Sequence, residues 1–534
     1  MHLLPTLTTR PSRPLDEAAE VDATALAAEL REHVAGDVRF EAGSRALYST
    51  DSAIFRRIPI GVVLPRNADD VAATLDLCRK YRAPVLPRGG GTSISGNSCN
   101  VAVVIDMSKF MNRILEIDPE RKIARVEPGV ICDSLRDAAE KFHLTFGPDP
   151  STHNRCNLGG MIGNNSCGMH SMMAGRTADN IHELDVITYD GLRMRVGPAS
   201  EDAINSIVAA AGRRGEIYAR LRMLRNEYAD LVRQRYPKIP RQCSGYNLDQ
   251  LLPEKGFHVA RSLVGSEGTC VVVLEAACRL VHSPPERLLV VAGFADIAAA
   301  GDHVPLIREH APLALEGVDD RMVDALRAKA HQIEKLPLLP QGRSWLYVEV
   351  GADERDEAVD KARRLVTGLR LQPGVVSAEL FEDQEVAKKL WDIRHEGLAL
   401  SRVPGVGDLW PGWEDGAVDP ERVGDYLREL RRLIDSFGYF GHLFAHLGQG
   451  CIHTRTNFDL TSHEGIAKYR AFMEAAADLT VSFGGSLSGE HGDGRFRSEL
   501  LVKMFGEELV GAFRRFKEIW DPERKMNPGI KVDP

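Results

Sequence analysis

Short apolar runs, several of them alternating with polar residues, recur along the chain between turns and stretches of helical spacing. The segment Asn180-Ile-His-Glu-Leu-Asp-Val-Ile-Thr-Tyr-Asp-Gly191 predicts a strand that ends in an Asp-Gly turn. Val101–Asp106, Trp345–Val350 and the run ending at Leu274 predict further strands. Helical spacing covers 15–34 and 203–235, and we expect the second stretch to be a surface insertion.

These patterns predict four parts in the chain. Residues 1–40 form a tail and a helix, and residues 41–283 alternate strands and helices. After a linker at Ser283-Pro-Pro285, residues 284–505 contain longer helices and strands. Residues 506–534 contain the final helix, which we expect to return to the first large domain. No internal repeat or low-complexity segment interrupts this order.

A glycine-rich loop, Pro87-Arg-Gly-Gly-Gly-Thr-Ser-Ile-Ser-Gly96, lies between two predicted strands. Consecutive glycines permit positive φ and leave no Cβ between the backbone and a ligand. Their exposed N–H groups suit a pyrophosphate. Because no Lys-Ser/Thr pair follows and no helix begins directly, neither a triphosphate-binding loop nor a Rossmann turn is expected. The loop alone is equally compatible with a plain flexible connection.

Two further glycine-rich segments favour a binding role. One is the long stretch 147–168, which is poor in large apolar side chains, and the other begins at Ser262 and leads into a buried strand. Long glycine loops between short strands indicate a scaffold that surrounds an extended ligand with backbone donors.

Near the C-terminal end, His446-Leu-Gly-Gln-Gly-Cys-Ile-His453 predicts a β-hairpin. With Gln449 and Gly450 as the two turn residues, His446 lies directly opposite His453. Opposed residues have Cβ atoms roughly 4.5–5.5 Å apart, which allows two imidazoles to bind one metal ion.

A second motif, Ser488-Gly-Glu-His-Gly-Asp-Gly494, places Glu490 beside His491 in a glycine-flanked loop. Two histidines, a carboxylate and a further histidine are the components of a metal site with an adjacent general base. Zinc and manganese both suit such ligands. A histidine-rich turn with a solvated acidic loop is the alternative, and His491 could instead be a fourth ligand or a structural hydrogen-bonding group.

Bulk properties limit the classes of function. The 534 residues are too many for one domain, and the hydrophobic content of 43% supports full cores. A formal net charge of −9 disfavours nucleic acid as a partner. No apolar run is long enough for a transmembrane segment, and the N-terminal residues lack a signal core, so a tail is expected there. The nine cysteines include no Cys-x-x-Cys pair and indicate a cytoplasmic protein with reduced thiols.

Together these motifs resemble the vanillyl-alcohol-oxidase-type FAD flavoproteins, in the branch of D-2-hydroxyacid dehydrogenases. The matching segments, in order, are Arg88–Thr92, Gly159–Gly168, Gly265–Thr269, His446–His453 and Ser488–His491. The chain is most similar to the flavin half of bacterial FAD/iron–sulfur D-2-hydroxyglutarate or D-lactate dehydrogenases. The resemblance implies an α+β fold, with a two-part FAD-binding domain and an α+β substrate cap that contains an antiparallel sheet.

The resemblance also implies roles for individual residues. His446, His453 and Glu490 would bind a divalent metal, zinc or manganese, and His491 would be the catalytic base. Arg394 would bind the substrate carboxylate. The residues expected to bind FAD are Arg88, Gly89, Gly90, Gly91, Thr92, Ser93, Gly159, Gly160, Gly163, Asn164, Ser166, Gly168, Gly265, Glu267 and Gly268.

The FAD is expected to be bound non-covalently, because Thr92 lies where tethered relatives often have histidine, although Cys156 is a candidate for a thioether. Arg455 lies two residues beyond His453 and therefore shares its face of the strand. Because a guanidinium binds carboxylates bidentately, we expect Arg455 to favour a dicarboxylic substrate, D-2-hydroxyglutarate ahead of D-lactate.

The implied reaction is oxidation of a D-2-hydroxyacid to the 2-oxoacid, with hydride transferred to flavin N5. No nicotinamide fingerprint is present, so electrons are expected to leave through an iron–sulfur protein, an electron-transfer flavoprotein or a quinone. Such a partner could hold the chain at the inner membrane. The alternatives are a flavin-dependent transferase resembling alkylglycerone-phosphate synthase, a glycolate oxidase-type flavin subunit of a larger complex, and a non-catalytic flavin-binding subunit.

Overall fold

The computed structural model describes residues 21–398 and 400–534. The first sheet has four strands in the order β1-β2-β4-β3, and β2, β3 and β4 are parallel. Its elements are α1 (Ala23–His33), β1 (Asp37–Arg39), α2 (Ala42–Leu47), β2 (Gly61–Leu64), α3 (Ala68–Lys80), β3 (Val85–Arg88) and β4 (Val103–Asp106). The crossover helix α3 begins where Asn67 accepts hydrogen bonds from the N–H groups of Asp69 and Asp70. The helix predicted for 15–34 is present from Ala23, and residues 15–20 lie outside the described residues.

A second, antiparallel sheet has the order β5-β6-β10-β8-β9, and a ribbon pairs β7 with β11. The strands are β5 (Ile114–Asp118), β6 (Ile123–Val126), β7 (Leu144–Thr145), β8 (Ile181–Ile187), β9 (Arg193–Val196), β10 (Val272–Arg279) and β11 (Val281–His282). The helices are α4 (Cys132–Glu140), α5 (Leu158–Asn164), α6 (Ser171–Ala174), α7 (Glu201–Ala209), α8 (Gly212–Arg235) and α9 (Val259–Leu263). The predicted Asp-Gly turn connects β8 to β9.

A seven-stranded antiparallel sheet, β15-β12-β14-β13-β19-β20-β18, forms the second half. Its strands are β12 (Glu286–Phe294), β13 (Ala314–Val318), β14 (Ser344–Ala352), β15 (Val375–Phe381), β18 (Gly416–Ala417), β19 (Gly441–His446) and β20 (Cys451–Thr456), and a small ribbon contains β16 (Arg402–Val403) and β17 (Gly407–Asp408). The helices are α10 (Ile297–Asp302), α11 (Val304–Arg308), α12 (Asp320–Ala328), α13 (Arg355–Arg370), α14 (Gln384–His395), α15 (Val423–Ser436), α16 (His463–Ser482), α17 (Gly494–Arg497) and α18 (Leu501–Trp520).

The end of the chain packs against the first half. The backbone of β3 exchanges hydrogen bonds with the segment after α18, from Val85 N to Lys525 O (2.9 Å) and from Asn527 N to Val85 O (2.8 Å). The fully buried Lys531 donates to Asp493 at 2.7 Å and pairs with Glu267 at 3.1 Å. These contacts fix the glycine segment around Glu267 against the loop that contains Asp493.

The stretch 203–235 is helical, as predicted, in α7 and α8, but it is more than a surface decoration. Leu221, Leu224 and Val232 of α8 are buried in the main hydrophobic core. Arg515 of α18 also pairs with Glu227 of α8 at 2.6 Å. The sequence indicated a surface helix, whereas tertiary packing buries one apolar face of α8.

A buried imidazole connects the two halves of the molecule. His170, immediately before α6, has Nδ1 2.5 Å from Asp149 Oδ2 and Nε2 2.8 Å from Oε1 of Glu349 on β14. Burial alone would lower the pKa of His170, but Asp149 and Glu349 outweigh it and raise this pKa to about 10. The imidazole is therefore a cation held between two carboxylates.

We predict that the contribution of His170 to stability is lost in alkaline solution. Its folded-state pKa lies above the ordinary value of 6.5, so the contribution is complete below that pH and disappears as the pH rises through about 10. His170→Gln should lower the free energy of unfolding by about 1.5–3 kcal/mol at pH 6, because each carboxylate loses a charged hydrogen bond but keeps an arginine, Arg136 for Asp149 and Arg287 for Glu349. Urea unfolding at several pH values measures both effects. The prediction would be contradicted if the free energy of unfolding fell equally for the wild type and the variant between pH 6 and pH 10.

Candidate active site

The predicted hairpin is present, but its predicted register is wrong. β19 and β20 pair His446 with Cys451 and Phe444 with His453, and Leu447–Gly450 forms the connection. Leu447–Gln449 form a short 3₁₀ helix that Gly450 ends in the left-handed conformation, so four residues turn the chain where two were expected. The histidines still meet, with ring centroids 5.1 Å apart, because His446 lies two residues from Phe444 and is a diagonal neighbour of His453.

Three of the predicted ligand atoms converge. His446 Nε2 lies 3.1 Å from Glu490 Oε1, and His453 Nε2 lies 3.2 Å from the same oxygen. The ligand atoms of these three residues all lie within 4.8 Å of one another, and the carboxylate is buried. Arg241 and His446 outweigh burial and hold the pKa of Glu490 well below its usual range, so the carboxylate is ionised.

The chemistry of the ligand set suits a divalent cation. His446 Nδ1 lies 2.8 Å from Glu316 Oε1, an arrangement that fixes a proton on Nδ1. A neutral His446 would then direct the lone pair of Nε2 at a carboxylate oxygen, which is repulsive unless a proton or a cation lies between them. Burial and Arg241 act to lower the pKa of His446, but Glu316 and Glu490 outweigh them and raise it. A metal ion would displace this proton.

Two buried side chains that the sequence did not indicate support the ligands. Glu316 on β13 contacts both His446 and Arg394, whose NH2 lies 2.6 Å from Glu316 Oε2. Arg241, which is fully buried, lies 3.0 Å from Glu490 Oε2 and donates to Gln449 at 2.7 Å. Neither residue belongs to a local motif, because each reaches the site from a distant part of the chain.

A third unpredicted residue, Asp415, fixes the loop that contains Glu490 and His491. Its fully buried carboxylate accepts hydrogen bonds from the Ser488 hydroxyl (2.6 Å) and from the N–H groups of Gly489 (2.7 Å), Glu490 (2.7 Å) and His491 (3.0 Å). Asp415 itself has a φ of 65°, in the left-handed region that disfavours most side chains. One carboxylate therefore sets the backbone of both a predicted ligand and the predicted base.

His491 lies beside the three ligand residues. Its ring stacks on His453 with centroids 5.0 Å apart, and Nε2 lies 3.7 Å from Glu490 Oε1. Burial is the main reason that the pKa of His491 falls to about 3. The imidazole is therefore neutral at neutral pH and has a lone pair available to accept a proton.

A cleft extends from the glycine loops to these histidines. Two adjoining cavities share Gly89, Gly160 and Asn164, and one of them also reaches Arg455, Glu490 and His491. A Cβ added at Gly160 would meet no atom within 4 Å, so this glycine opens directly into the cleft. Predicted FAD-binding residues that line the cleft are Arg88, Gly89, Gly90, Gly91, Thr92, Ser93, Gly159, Gly160, Gly163, Asn164, Ser166, Glu267 and Gly268.

Some of the predicted FAD-binding residues also have partners inside the protein or lie outside the cleft. Gly168 and Gly265 line neither cavity; a Cβ at Gly168 would collide with Asp149, and Gly265 donates to Ile162. The Arg88 guanidinium donates to the backbone oxygens of residues 48, 50 and 98. The Glu267 carboxylate accepts from Asp493 N at 2.8 Å and from the N–H group of residue 494 at 3.0 Å. Asn97, Ser98, Pro128 and Ser266 line the cleft without having been predicted.

Both predicted substrate arginines are buried and paired with carboxylates. Arg394 on α14 pairs with Glu316, and Arg455 on β20 pairs with Glu414. Their guanidinium groups lie 5.2 and 5.9 Å from the centroid of the Phe444 ring, so the two cations share one aromatic neighbour. Arg455 lines the cleft, whereas Arg394 does not.

Two family models match the chain, one for each structural half. Residues 59–197 match the FAD binding domain, and residues 283–530 match the C-terminal domain of FAD linked oxidases. The chain therefore contains both of these domains. Its fold is that of the vanillyl-alcohol oxidase type: p-cresol methylhydroxylase superposes with a TM-score of 0.64 over 95% of this chain and 96% of that chain, at 14% identity. The fold expected from the sequence is confirmed.

The chain is also similar in sequence to individual characterised proteins. It is 33% identical over 507 residues to a D-2-hydroxyglutarate dehydrogenase of Pseudomonas putida, covering 92% of this chain and 50% of the relative. The chain thus spans about half the length of that relative. It is 27% identical to the glycolate oxidase subunit GlcD of Escherichia coli (strain K12), covering 96% of this chain and 92% of the relative. No helix among the described residues is long and apolar enough to span a membrane.

We predict that Asp415→Asn weakens metal binding without releasing flavin. Asparagine tolerates the left-handed backbone, but its amide nitrogen cannot accept the loop N–H groups. Loss of a group that orients a metal ligand typically lowers metal affinity by about 10–100-fold. Competition with a chelator, followed by the flavin absorbance, measures both properties. The control is Asp408→Asn, an exposed acid of β17; equal metal affinities in the two variants would contradict the prediction.

Proposed function

We propose that the chain catalyses FAD- and divalent-metal-dependent oxidation of a D-2-hydroxyacid to the 2-oxoacid. The observation that carries this proposal is the convergence of His446, His453 and Glu490 beside the neutral His491, at one end of the cleft lined by the glycine loops. The names of the curated relatives support the same class of reaction, D-2-hydroxyglutarate and D-lactate dehydrogenases among them.

The proposed roles follow from the positions of the side chains. His446, His453 and Glu490 hold the cation, and the predicted glycine-loop residues hold FAD through backbone groups. When bound, the cation supplies a Lewis acid that acidifies the substrate hydroxyl, and the flavin supplies the hydride acceptor. His491 accepts the hydroxyl proton. Arg394 is proposed to bind the substrate carboxylate on the resemblance alone, because its guanidinium pairs with Glu316 and does not line the cleft.

Electron transfer beyond the flavin is also a proposal. The sequence contains no G-x-G-x-x-G nicotinamide fingerprint and no Cys-x-x-Cys pair, and all nine cysteines are buried and free of disulfides. An iron–sulfur protein, an electron-transfer flavoprotein or a quinone is therefore proposed as the acceptor. The proposed location is the cytoplasm, with attachment to the inner membrane only through such a partner.

A second candidate is the flavin subunit of a glycolate oxidase-type complex. It is supported by the GlcD relative, because the match covers nearly the full length of both chains. The two candidates share the chemistry of the site and differ in the substrate and in the partner. The response of the flavin to glycolate, D-lactate and D-2-hydroxyglutarate separates them.

We predict that D-2-hydroxyglutarate or D-lactate bleaches the flavin absorbance under anaerobic conditions, and that this requires the metal site. His446→Ala, His453→Ala or Glu490→Ala should retain flavin, because the cofactor and the metal use different segments, and should lose most of the bleaching rate. His491→Ala should slow bleaching by roughly 10²–10⁴-fold, the usual contribution of a general base. The exposed His463→Ala is the control. Full bleaching rates after thorough chelation would reject the metal requirement.

We also predict that Arg455→Ala impairs oxidation of D-2-hydroxyglutarate far more than oxidation of D-lactate. Arg455 is the predicted substrate arginine that reaches the cleft, and only the dicarboxylate has a second group for it to bind. Comparison of kcat/KM for both substrates measures the effect, and Arg402→Ala, an exposed arginine, is the control. Similar losses for both substrates would show that Arg455 only orders the hairpin.

A further inference from the structure

Glu414, directly before Asp415, is a buried acid that the proposed reaction leaves without a role. Only 2% of its surface is exposed, and its Oε2 has no hydrogen-bond partner among the described residues. It forms an ion pair with Arg455, and its Oε2 lies 3.6 Å from His491 Nδ1. Glu414 therefore contacts both the proposed base and the arginine that reaches the cleft.

The neighbouring Asp415 cannot perform the same task. Its Oδ2 also lies 3.6 Å from His491 Nδ1, but its two oxygens already accept the hydrogen bonds that fix the Ser488–His491 loop. Glu414 is the carboxylate with free acceptor capacity at this nitrogen. A buried carboxylate oxygen without a hydrogen-bond donor is costly, so the free Oε2 is expected to have a function.

The two nitrogens of His491 face different surroundings. Nε2 lies near Glu490, whereas Nδ1 faces Glu414 and Asp415, and the residue lines the cleft. Two carboxylates lie beside Nδ1 and one beside Nε2, and the charge of that one, Glu490, would be neutralised by the proposed cation. The negative charge therefore favours the tautomer with the proton on Nδ1, which leaves the lone pair on Nε2. A separation of 3.6 Å is longer than a hydrogen bond, but such contacts often shorten when substrate binds.

We propose that Glu414 is a positioning residue with two partners: it holds the proton on His491 Nδ1, and it orients the guanidinium of Arg455 toward the cleft. This inference rests on the proposed function, since it assumes that His491 accepts the substrate proton through Nε2. One carboxylate thereby couples the orientation of the base to that of the group that binds the distal end of the substrate.

The main alternative is that Glu414 binds a second cation. Ligand atoms of Glu414, His453 and His491 also lie within 4.8 Å of one another. The Arg455 guanidinium already pairs with this carboxylate, however, and a cation between them would be repelled by it. The two possibilities differ in the metal content expected for Glu414→Ala: a second cation would be lost from this variant, whereas a positioning residue could be removed without loss of metal.

The test compares Glu414→Ala, Glu414→Gln and Arg455→Ala with the wild type in the full chain loaded with FAD and metal. The rate of anaerobic flavin reduction is measured with D-lactate and with D-2-hydroxyglutarate. Glu414→Ala should slow reduction by both substrates by about 10–100-fold, as expected for loss of a supporting carboxylate. It should raise KM only for the dicarboxylate, through Arg455. Glu414→Gln should recover part of the rate, because its carbonyl can still accept from Nδ1–H.

A second readout does not depend on activity. Histidine labelled with ¹⁵N reports the tautomer of His491 in the metal-free protein, with His491→Gln identifying its signal. The wild type should carry the proton on Nδ1, and Glu414→Ala should shift it toward Nε2, with metal content unchanged when metal is restored. An unaltered tautomer, an unaltered rate with D-lactate, or loss of metal from Glu414→Ala would overturn the inference. Failure of the wild type to reduce flavin with any D-2-hydroxyacid would instead reject the proposed function.

Discussion

The site depends on how the carboxylate of Asp415 is placed under the Ser488–His491 loop. Three successive backbone N–H groups and a hydroxyl point at one buried acid. Glycine-rich loops have many accessible conformations, and this arrangement selects one of them. Because Glu490 and His491 are consecutive, fixing their backbone N–H groups fixes the directions from which the carboxylate and the imidazole approach the hairpin histidines. The left-handed backbone of Asp415 is held by the same contacts.

Around this loop, charged side chains are buried as a balanced set. Arg241 faces Glu490, Arg394 faces Glu316 and Arg455 faces Glu414. Removing one member of such a pair is costly, since an isolated buried charge is strongly destabilising. The pairs hold several cations and anions near the cleft without leaving a large net charge there. In the proposed reaction, a divalent cation would add positive charge to this otherwise balanced set.

The sequence was sufficient for the fold, for the glycine loops and for the members of the histidine–carboxylate cluster, because each has a local signature. It failed on the hairpin register, since a two-residue turn was assumed where four residues and a 3₁₀ turn connect the strands. Asp415, Glu316 and Arg241 were missed for a different reason. Their roles depend on tertiary proximity, and a lone buried acid or arginine has no distinguishing pattern along the chain. The ion pair between Arg455 and Glu414 could not be predicted from the sequence for the same reason.

The packing of this site depends on Lys531, which is synthesised after the other residues of the site. Glu267 and Asp493 are both buried against its ammonium group, so the loop between His491 and Gly494 has no compensating cation from Lys531 until that residue is in place. During synthesis, residue 531 leaves the ribosome after every predicted ligand and glycine loop. The loop between His491 and Gly494 can therefore reach its final packing only after translation has passed this lysine, and a nascent chain stalled before it would have an incomplete cleft.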